Sequence, residues 1–327
     1  MTPTTAQVGP EPIGRHFCSP GRKPWVGGRP MGWRRLASNA AILLLLAAPA
    51  FAQKTVLVVA ADQTDWVLSA GGTIAKLADE GHTIHLLRVG NDEKESWDLS
   101  IEETALRAKR ENERAAEILG VAEVHSLGYR SGELGAVGHT ELRDRILFYL
   151  RKLKPQIYFF PNPYAEYVEV LDRFYVGKAA EDAWRAAPLE NFQLSFAVVG
   201  LEPHIVDEVY YYAQPFDPRR REPESTPTFV PQPKVLSMAE TLDRKIRAAQ
   251  ALETANRSMA MRIKQRLDET DRRLPLLDEV GEEAVAELAA INVRNLAKIC
   301  AEDSEYEAAE EFHYAGIEYQ IPSKYLK

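Results

Sequence analysis

The chain has 327 residues, with 40 basic and 48 acidic side chains and a formal net charge of −8. Residues 1–52, the leader, contain six of the basic side chains and one acidic side chain. The remainder therefore has 34 basic and 47 acidic side chains, a formal charge of −13. Such an acidic chain is poorly suited to nucleic acid or to an anionic membrane surface. Only Cys300 lies beyond the leader, which excludes an intrachain disulfide and a thiolate metal cluster there.

The leader has the organisation of a secretory signal peptide. Arginines at 34–35 precede an apolar stretch at 40–48, and the small-residue sequence Ala50-Phe51-Ala52 follows. This order predicts cleavage between Ala52 and Gln53 and export to the periplasm or the extracellular space. The apolar stretch is too short for an ordinary membrane span, so we expect no transmembrane segment in the mature chain. A membrane-anchored N-terminus is the alternative.

The translation start is open between Met1 and Met31, because residues 1–30 show no structural pattern. About 275 residues follow the leader, enough for one large α/β domain with its own hydrophobic core.

Strand and helix patterns alternate along the mature chain, as in a parallel sheet with helical crossovers. Ser100-Ile101-Glu102-Glu103 is a capping box that begins a helix, and Gly120 is its expected end. In chain order we predict a strand, turn and helix at 56–76, a strand at 83–89, a helix at 100–119, a strand at 124–127, a helix at 142–153, a strand at 156–160, a helix at 174–186, a strand at 195–199 and an edge strand at 209–212. The fold class is therefore α/β, a Rossmann-like three-layer sandwich with a mostly parallel sheet.

The C-terminal third begins with a linker. Residues 215–233 contain six prolines and the run Arg219-Arg220-Arg221, which predicts a surface loop. Two charged amphipathic helices follow at 237–268 and 279–301. We divide the chain into the leader (1–52), an α/β domain (53–235) and a C-terminal helical extension (236–327) packed on the same domain.

The most informative segment is the turn after the first strand. Val56 to Ala60 is a continuous apolar run, typical of a parallel strand buried on both faces. Asp62, Thr64 and Asp65 follow where the chain leaves the sheet. In open α/β sheets this carboxyl edge is where ligands bind.

This segment resembles the PIG-L/LmbE family of zinc-dependent de-N-acetylases, which has PHPDDE at this turn and then GAGGT. Here the chain reads Ala61-Asp62-Gln63-Thr64-Asp65-Trp66 and then Ser69-Ala70-Gly71-Gly72-Thr73. The resemblance spans roughly residues 54–312 and rests on further matches in the same order: Arg110-x-x-Glu113, Asn91-Asp92-Glu93-Lys94, Gly128-Tyr129-Arg130-Ser131-Gly132-Glu133-Leu134, Pro203-His204-x-Val206, Leu242-x-Arg244-Lys245 and Ala309-Glu310-x-Phe312. It implies a Rossmann-like fold, a zinc cofactor and amide hydrolysis on N-acetylglucosaminyl compounds.

The first half of the family's metal site is altered. In the family the His and the second Asp of PHPDDE bind zinc, and the first Asp is the general base. These positions correspond to Asp62, Asp65 and Thr64 in this chain. Thr64 has no group that ionises near neutral pH, so it cannot act as a general base.

The second half of the site is altered as well. A later HPDH motif supplies the family's third zinc ligand through its second His, and its first His helps to stabilise the oxyanion. These positions correspond to Arg173 and Val170, and only Asp172 matches. A guanidinium stays protonated and would repel a divalent ion. Arg173 could instead pair with Asp62 or Asp65 in the space of the metal. We therefore predict an inactive or impaired enzyme without a bound cofactor.

The resemblance also implies residues for binding a sugar-like small molecule. These are Arg110, Asn91, Asp92, Arg130, Trp66 and His204. Each has a structural alternative: Arg110 as part of a solvated charged face, Trp66 as filling for an emptied cleft, and His204 as a strand-end structural residue. Asp62 and Asp65 could likewise be turn and helix N-cap residues.

Two other functions remain open. Asp62, Asp65 and Asp172, with Glu166 or Glu169 as base, could form an oxygen-rich site for Mg²⁺, Mn²⁺ or Ca²⁺ in an active amide hydrolase. Alternatively, the arginine-rich loop and C-terminal helices could bind a protein partner. The oligomeric state is open. The histidines offer no clear site: His82 and His85 do not share a strand face, and we expect His125, His139 and His313 to have no partners at ligand spacing.

Overall fold

A mixed sheet of seven strands organises the part of the chain described by the computed structural model, namely residues 53–164, 170–214, 232–302 and 304–316. The strand order is β3-β2-β1-β4-β5-β7-β6. The first five strands run parallel, and β7 is antiparallel to both β5 and β6. The strands are β1 (Thr55–Ala60), β2 (Thr83–Gly90), β3 (Glu123–Tyr129), β4 (Ile157–Pro161), β5 (Glu208–Tyr212), β6 (Gln232–Ser237) and β7 (Ala309–Gly316).

Helices cover both faces of the sheet. They are α1 (Asp65–Asp79), α2 (Ile101–Leu119), α3 (His139–Leu153), α4 (Leu171–Ala186), α5 (Leu194–Val198), α6 (Leu242–Gln250), α7 (Glu253–Glu269) and α8 (Glu282–Ala301). Short 3-10 turns occupy Leu134–Ala136, Ala239–Thr241 and Pro275–Leu277. Among the described residues, no helix combines the length and the apolar character that a membrane crossing needs.

The alternation of side chains along β1 divides the core into two layers. Val56 and Val58 pack with residues of α1, α2, α6 and α8 on one face. Leu57 and Val59 pack with residues of α3 and α4 on the other. The structure thus confirms the predicted three-layer α/β sandwich. It also confirms the helix start at Ser100, whose side chain accepts a hydrogen bond from the Glu103 N–H, and the left-handed Gly120 at its end.

Two of the strand predictions are wrong. Residues 195–199 do not form a strand, because they fall largely within α5, a one-turn helix with no buried residue. Leu194 is 65% exposed and Val198 is 87% exposed, so the apolar run that indicated a strand does not pack in the core beside the sheet. The segment 209–212 is a strand but not an edge strand. β7 pairs with β5 on its open side, and only the fold could reveal that distant pairing.

The C-terminal third contributes strands as well as helices. β6 spans the expected boundary at 235–236, and β7 inserts between β5 and β6. The helix expected at 237–268 is interrupted near Ala251 and Leu252, which separate α6 from α7. The leader, the loop with Arg219-Arg220-Arg221, and Glu166 and Glu169 lie outside the described residues.

A buried ion pair holds α1 against the C-terminal elements. Lys245 and Glu310 are 2.7 Å apart, with side chains 1% and 2% exposed. The Glu310 carboxylate also accepts hydrogen bonds from the backbone N–H groups of Gly72 and Thr73, at 2.8 and 2.7 Å. A Cβ on Gly72 would lie 2.5 Å from the sulfur of Met238, so this close approach requires glycine. These contacts explain why the Gly-Gly-Thr, Lys245 and Glu310 motifs occur together.

Candidate functional site

The candidate site lies where the carboxyl ends of β1 and β2 meet the first turn of α4. Asp62 comes from the turn after β1, and Arg173 comes from α4, more than one hundred residues later. Gly177 lets α4 approach the end of β4, since a Cβ there would lie 2.4 Å from the carbonyl oxygen of Pro161. The parallel topology therefore brings the two halves of the altered motif together.

Arg173 and Asp62 form a two-pronged salt bridge. The Arg173 Nε donates to Asp62 Oδ2 at 2.7 Å, and Nη2 donates to Oδ1 at 3.2 Å. The same Nη2 donates to the Thr64 hydroxyl oxygen at 3.0 Å. The side chains of Arg173 and Asp62 are 8% and 11% exposed, so little water screens the pair. Of the two partners open to Arg173 from the sequence, the structure has Asp62.

Local hydrogen bonds fix the Asp62 carboxylate. Its Oδ1 accepts from the Thr64 N–H at 2.8 Å, the Thr64 hydroxyl at 2.7 Å and the Asp65 N–H at 2.9 Å. Burial would raise the pKa of Asp62, but the charge of Arg173 and these hydrogen bonds outweigh it and lower the pKa. Asp62 is therefore an ionised carboxylate whose acceptor positions are already used.

The Asp65 carboxylate is also buried, and both of its oxygens accept hydrogen bonds from the protein. Its Oδ2 accepts from the Ala61 N–H at 2.7 Å and from the Tyr212 hydroxyl at 3.1 Å, and its Oδ1 accepts from the Trp66 N–H at 2.5 Å. Burial, and then the negative charge of Asp62, raise the pKa of Asp65 well above its usual value. The environment opposes a second negative charge beside Asp62.

Asp172 supports a neighbouring loop. Its carboxylate accepts hydrogen bonds from the N–H groups of Gly132 and Leu134, at 2.5 and 3.2 Å. Burial raises its pKa. Val170 precedes α4 as its N-cap and offers no side-chain hydrogen bond. The surviving Asp of the later motif therefore holds the Gly128–Leu134 loop in place.

The predicted residues of the β2 loop do gather at this edge. Asp92 is fully buried, pairs with Arg88 and accepts from the Gln63 N–H at 3.0 Å. Burial, opposed by Arg88, raises its pKa to about 6. Asn91 donates to Glu93 at 2.9 Å, and Glu93 accepts from Arg130 at 2.7 Å.

The other three predicted ligand-binding residues have different surroundings. Trp66 is fully buried in the core cluster with β1 and α2, so it fills space and cannot stack on a ligand. His204 lies 2.6 Å from the carbonyl oxygen of Pro155, which precedes β4, so it sits at the opposite edge of the sheet as a structural residue. Arg110 is exposed on α2, as expected for a solvated charged face.

The sequence analysis missed two residues of the site, Glu95 and Gln63. Burial, followed by the charges of Asp62 and Asp92, raises the pKa of Glu95 to about 7. Gln63 is fully buried, and its side-chain oxygen and nitrogen have no hydrogen-bond partner among the described residues. Gln63 stands at a proline position of the family motif, and that substitution was the only available clue.

The donor set does not fit the zinc ion that the resemblance implies. Catalytic zinc needs three protein ligands, usually imidazole nitrogens with a carboxylate, and an open fourth position. Here the three corresponding positions hold Asp62, Asp65 and Arg173. The cation of Arg173 occupies the acceptor face of Asp62, and the oxygens of Asp65 already accept three hydrogen bonds from the protein.

Comparison with known proteins identifies the domain. Residues 57–184 match the family described as PIG-L, GlcNAc-PI de-N-acetylase. These residues are a PIG-L domain. A diacetylchitobiose deacetylase from Thermococcus kodakarensis is 35% identical over 161 residues, which are 49% of this chain and 60% of that protein. The aligned part of the chain thus spans 60% of this relative, which is less than two thirds of its length.

Solved structures extend the likeness to the fold of almost the whole described chain. The N,N'-diacetylchitobiose deacetylase from Pyrococcus horikoshii aligns with a TM-score of 0.63 at 22% identity, over 82% of this chain and 86% of that one. The 4-carboxy-2-hydroxymuconate hydratase from Pseudomonas putida aligns with a TM-score of 0.53 at 18% identity, over 81% and 96%. A hydratase on the same fold shows that the PIG-L architecture does not by itself specify deacetylation.

Proposed function

We propose that this PIG-L protein does not catalyse zinc-dependent de-N-acetylation, because the Asp62–Arg173 salt bridge has replaced the metal. That buried, two-pronged pair is the observation on which the proposal rests. We further propose that the protein is exported and retains a sugar-like ligand. The ligand class is taken from the deacetylase relative that is named for diacetylchitobiose.

The missing steps can be stated chemically. Amide hydrolysis at neutral pH needs an activated water, a base that takes its proton and a partner for the oxyanion. Thr64 stands at the base position, and its hydroxyl donates to Asp62 while accepting from Arg173. Val170 stands at the oxyanion position and has an apolar side chain. A general base alone contributes roughly 10²–10⁴ in rate, so losing base, ligands and oxyanion partner together removes most of the catalysis.

A revertant tests this proposal. The triple variant Asp62→His/Thr64→Asp/Arg173→His restores two ligands and the base. We expect it to bind about one more Zn²⁺ per chain than the natural protein and to gain slow deacetylation of diacetylchitobiose. The matched control is Asp62→His/Thr64→Asp, which retains Arg173 and should gain neither.

One result would contradict the proposal. Zinc-dependent deacetylation by the natural protein, lost on Arg173→Met, would show that the guanidinium serves catalysis. Far-UV circular dichroism of each variant separates loss of the fold from loss of the site.

A second candidate is an active hydrolase that uses a different base, and Glu95 is the observation that favours it. Its pKa of about 7 suits a general base, and the charges of Asp62 and Asp92 act on it. Against this, the carboxylates that would hold Mg²⁺, Mn²⁺ or Ca²⁺ already accept protein hydrogen bonds. Metal-stimulated amidase activity that Glu95→Gln abolishes, and the exposed control Glu102→Gln preserves, would select this candidate.

A further inference from the structure

Two histidines and a glutamate meet on the β2–β3 edge of the sheet. His85 is opposite Glu123 in the parallel register of these strands, and His125 lies two residues beyond Glu123. Residues two apart on a strand share a face, so all three side chains lie on one side of the sheet. One ligand atom from each lies within 4.8 Å of the others. The pairing is invisible in the sequence because it joins two strands.

The distances suit metal coordination better than hydrogen bonding. His125 Nε2 lies 3.4 Å from His85 Nδ1, and His85 Nδ1 lies 3.5 Å from Glu123 Oε2. Both exceed good hydrogen-bond lengths. Ligands about 2.0–2.1 Å from a tetrahedral zinc ion are about 3.3–3.4 Å apart, close to both of these separations. Glu123 Oε1 also lies 3.6 Å from His125, but from the other ring nitrogen, Nδ1.

The surroundings of these three side chains also suit the binding of a metal ion. The side chains of His85 and His125 are 14% and 9% exposed, whereas Glu123 is 58% exposed and can swing toward an incoming ion. Tyr149 packs against His125, with 4.9 Å between the ring centroids. Desolvation lowers the pKa of both imidazoles, although the charge of Glu123 opposes it. Neutral imidazole is the form that binds metal.

We propose that His85, Glu123 and His125 bind a zinc ion, with solvent at the fourth position. The ligand types and the open position match the His₂Glu arrangement that Zn²⁺ accepts. The ion would join edge strand β3 to β2. About 16 Å of extended strand separates His85 from Gly90 at the candidate functional site, so this zinc is independent of the altered family site.

Calorimetric titration of the whole chain with Zn²⁺ tests the proposal. We expect saturable binding of about one ion per chain at micromolar concentration, and a chelator-reversible rise of a few degrees in melting temperature. His125→Gln should abolish the binding, and Glu123→Gln should weaken it at least about tenfold. The control His139→Gln changes an exposed histidine that pairs with Asp182, and it should bind as the natural protein does.

Two results would overturn the proposal: no saturable binding below about 100 µM Zn²⁺, or unchanged binding in a folded His125→Gln variant. If His125→Gln does not fold, His85→Gln gives the same comparison. Zinc that persists in both variants but is lost in Asp65→Asn would locate the ion at the family site, and would contradict the proposed function as well as this proposal. The revertant comparison stays valid, because both of its proteins carry the β2–β3 histidines.

Discussion

Replacing Arg173 by methionine removes the guanidinium while retaining a long side chain, and so tests the electrostatic core of the site. Asp62 would keep its hydrogen bonds from Thr64 and Asp65 but would become a buried carboxylate without its cation. Removing one partner of a buried pair typically costs 3–5 kcal/mol. Because Arg173 also donates to the Thr64 hydroxyl, we expect about 4 kcal/mol of lost stability at pH 7.

Urea denaturation in a double-mutant cycle measures this value. Asp62→Asn combined with Arg173→Met removes both charges, so the double variant should be more stable than Arg173→Met alone, with a coupling energy of at least about 2 kcal/mol. The matched control is Arg107→Met, which breaks an ion pair with Glu103 in which the two side chains are 54% and 49% exposed. That surface change should cost less than about 1 kcal/mol.

The pH dependence gives an independent check. The lowered pKa of Asp62 means that its pairing stabilises the fold above the unfolded pKa near 3.8, and the contribution is lost as the pH falls through the lower folded value. The cost of Arg173→Met should therefore shrink as the pH falls below 3.8, toward the lowered pKa at which Asp62 of the natural protein takes up a proton. If Arg173→Met costs no more than Arg107→Met, and its cost does not vary with pH, the salt bridge does not stabilise the site.

Two further predictions concern other buried charges. Lys245→Met should cost about 3–5 kcal/mol of stability in urea denaturation, because it leaves the buried Glu310 carboxylate without its cation. The control Lys94→Met, which breaks a surface pair with Glu133, should cost under about 1 kcal/mol. Equal costs would show that the buried pair is dispensable. Burial raises the pKa of Glu95 from 4.5 to about 7, so the folded protein holds this proton more tightly than the unfolded chain does. Its contribution is greatest below pH 4.5 and is lost as the pH rises through 7, by up to about 3 kcal/mol. Glu95→Gln should flatten stability across that window and the exposed control Glu102→Gln should not; a steep profile in Glu95→Gln would contradict the assignment.

The parallel half of the fold follows from local patterns. The continuous apolar run at 56–60 and the capping box at Ser100 each specify an element without reference to distant residues, and the structure has both. The segment 195–199 failed because an apolar run does not reveal whether a sheet lies beside it. β7 was missed for the complementary reason, since its place between β5 and β6 depends on partners roughly seventy to one hundred residues away.

For the candidate functional site too, some features follow from the sequence and others only from the fold. The sequence alone determined which residue types occupy the family's catalytic positions, because that needs only correspondence along the chain. The resemblance therefore predicts that Thr64 and Arg173 replace a base and a ligand. Only the tertiary structure decided that Arg173 contacts Asp62 rather than Asp65, that Trp66 is buried, and that His125 meets His85. Burial and pairing depend on which strands and helices become neighbours, and a distance between two side chains exists only once the chain has folded.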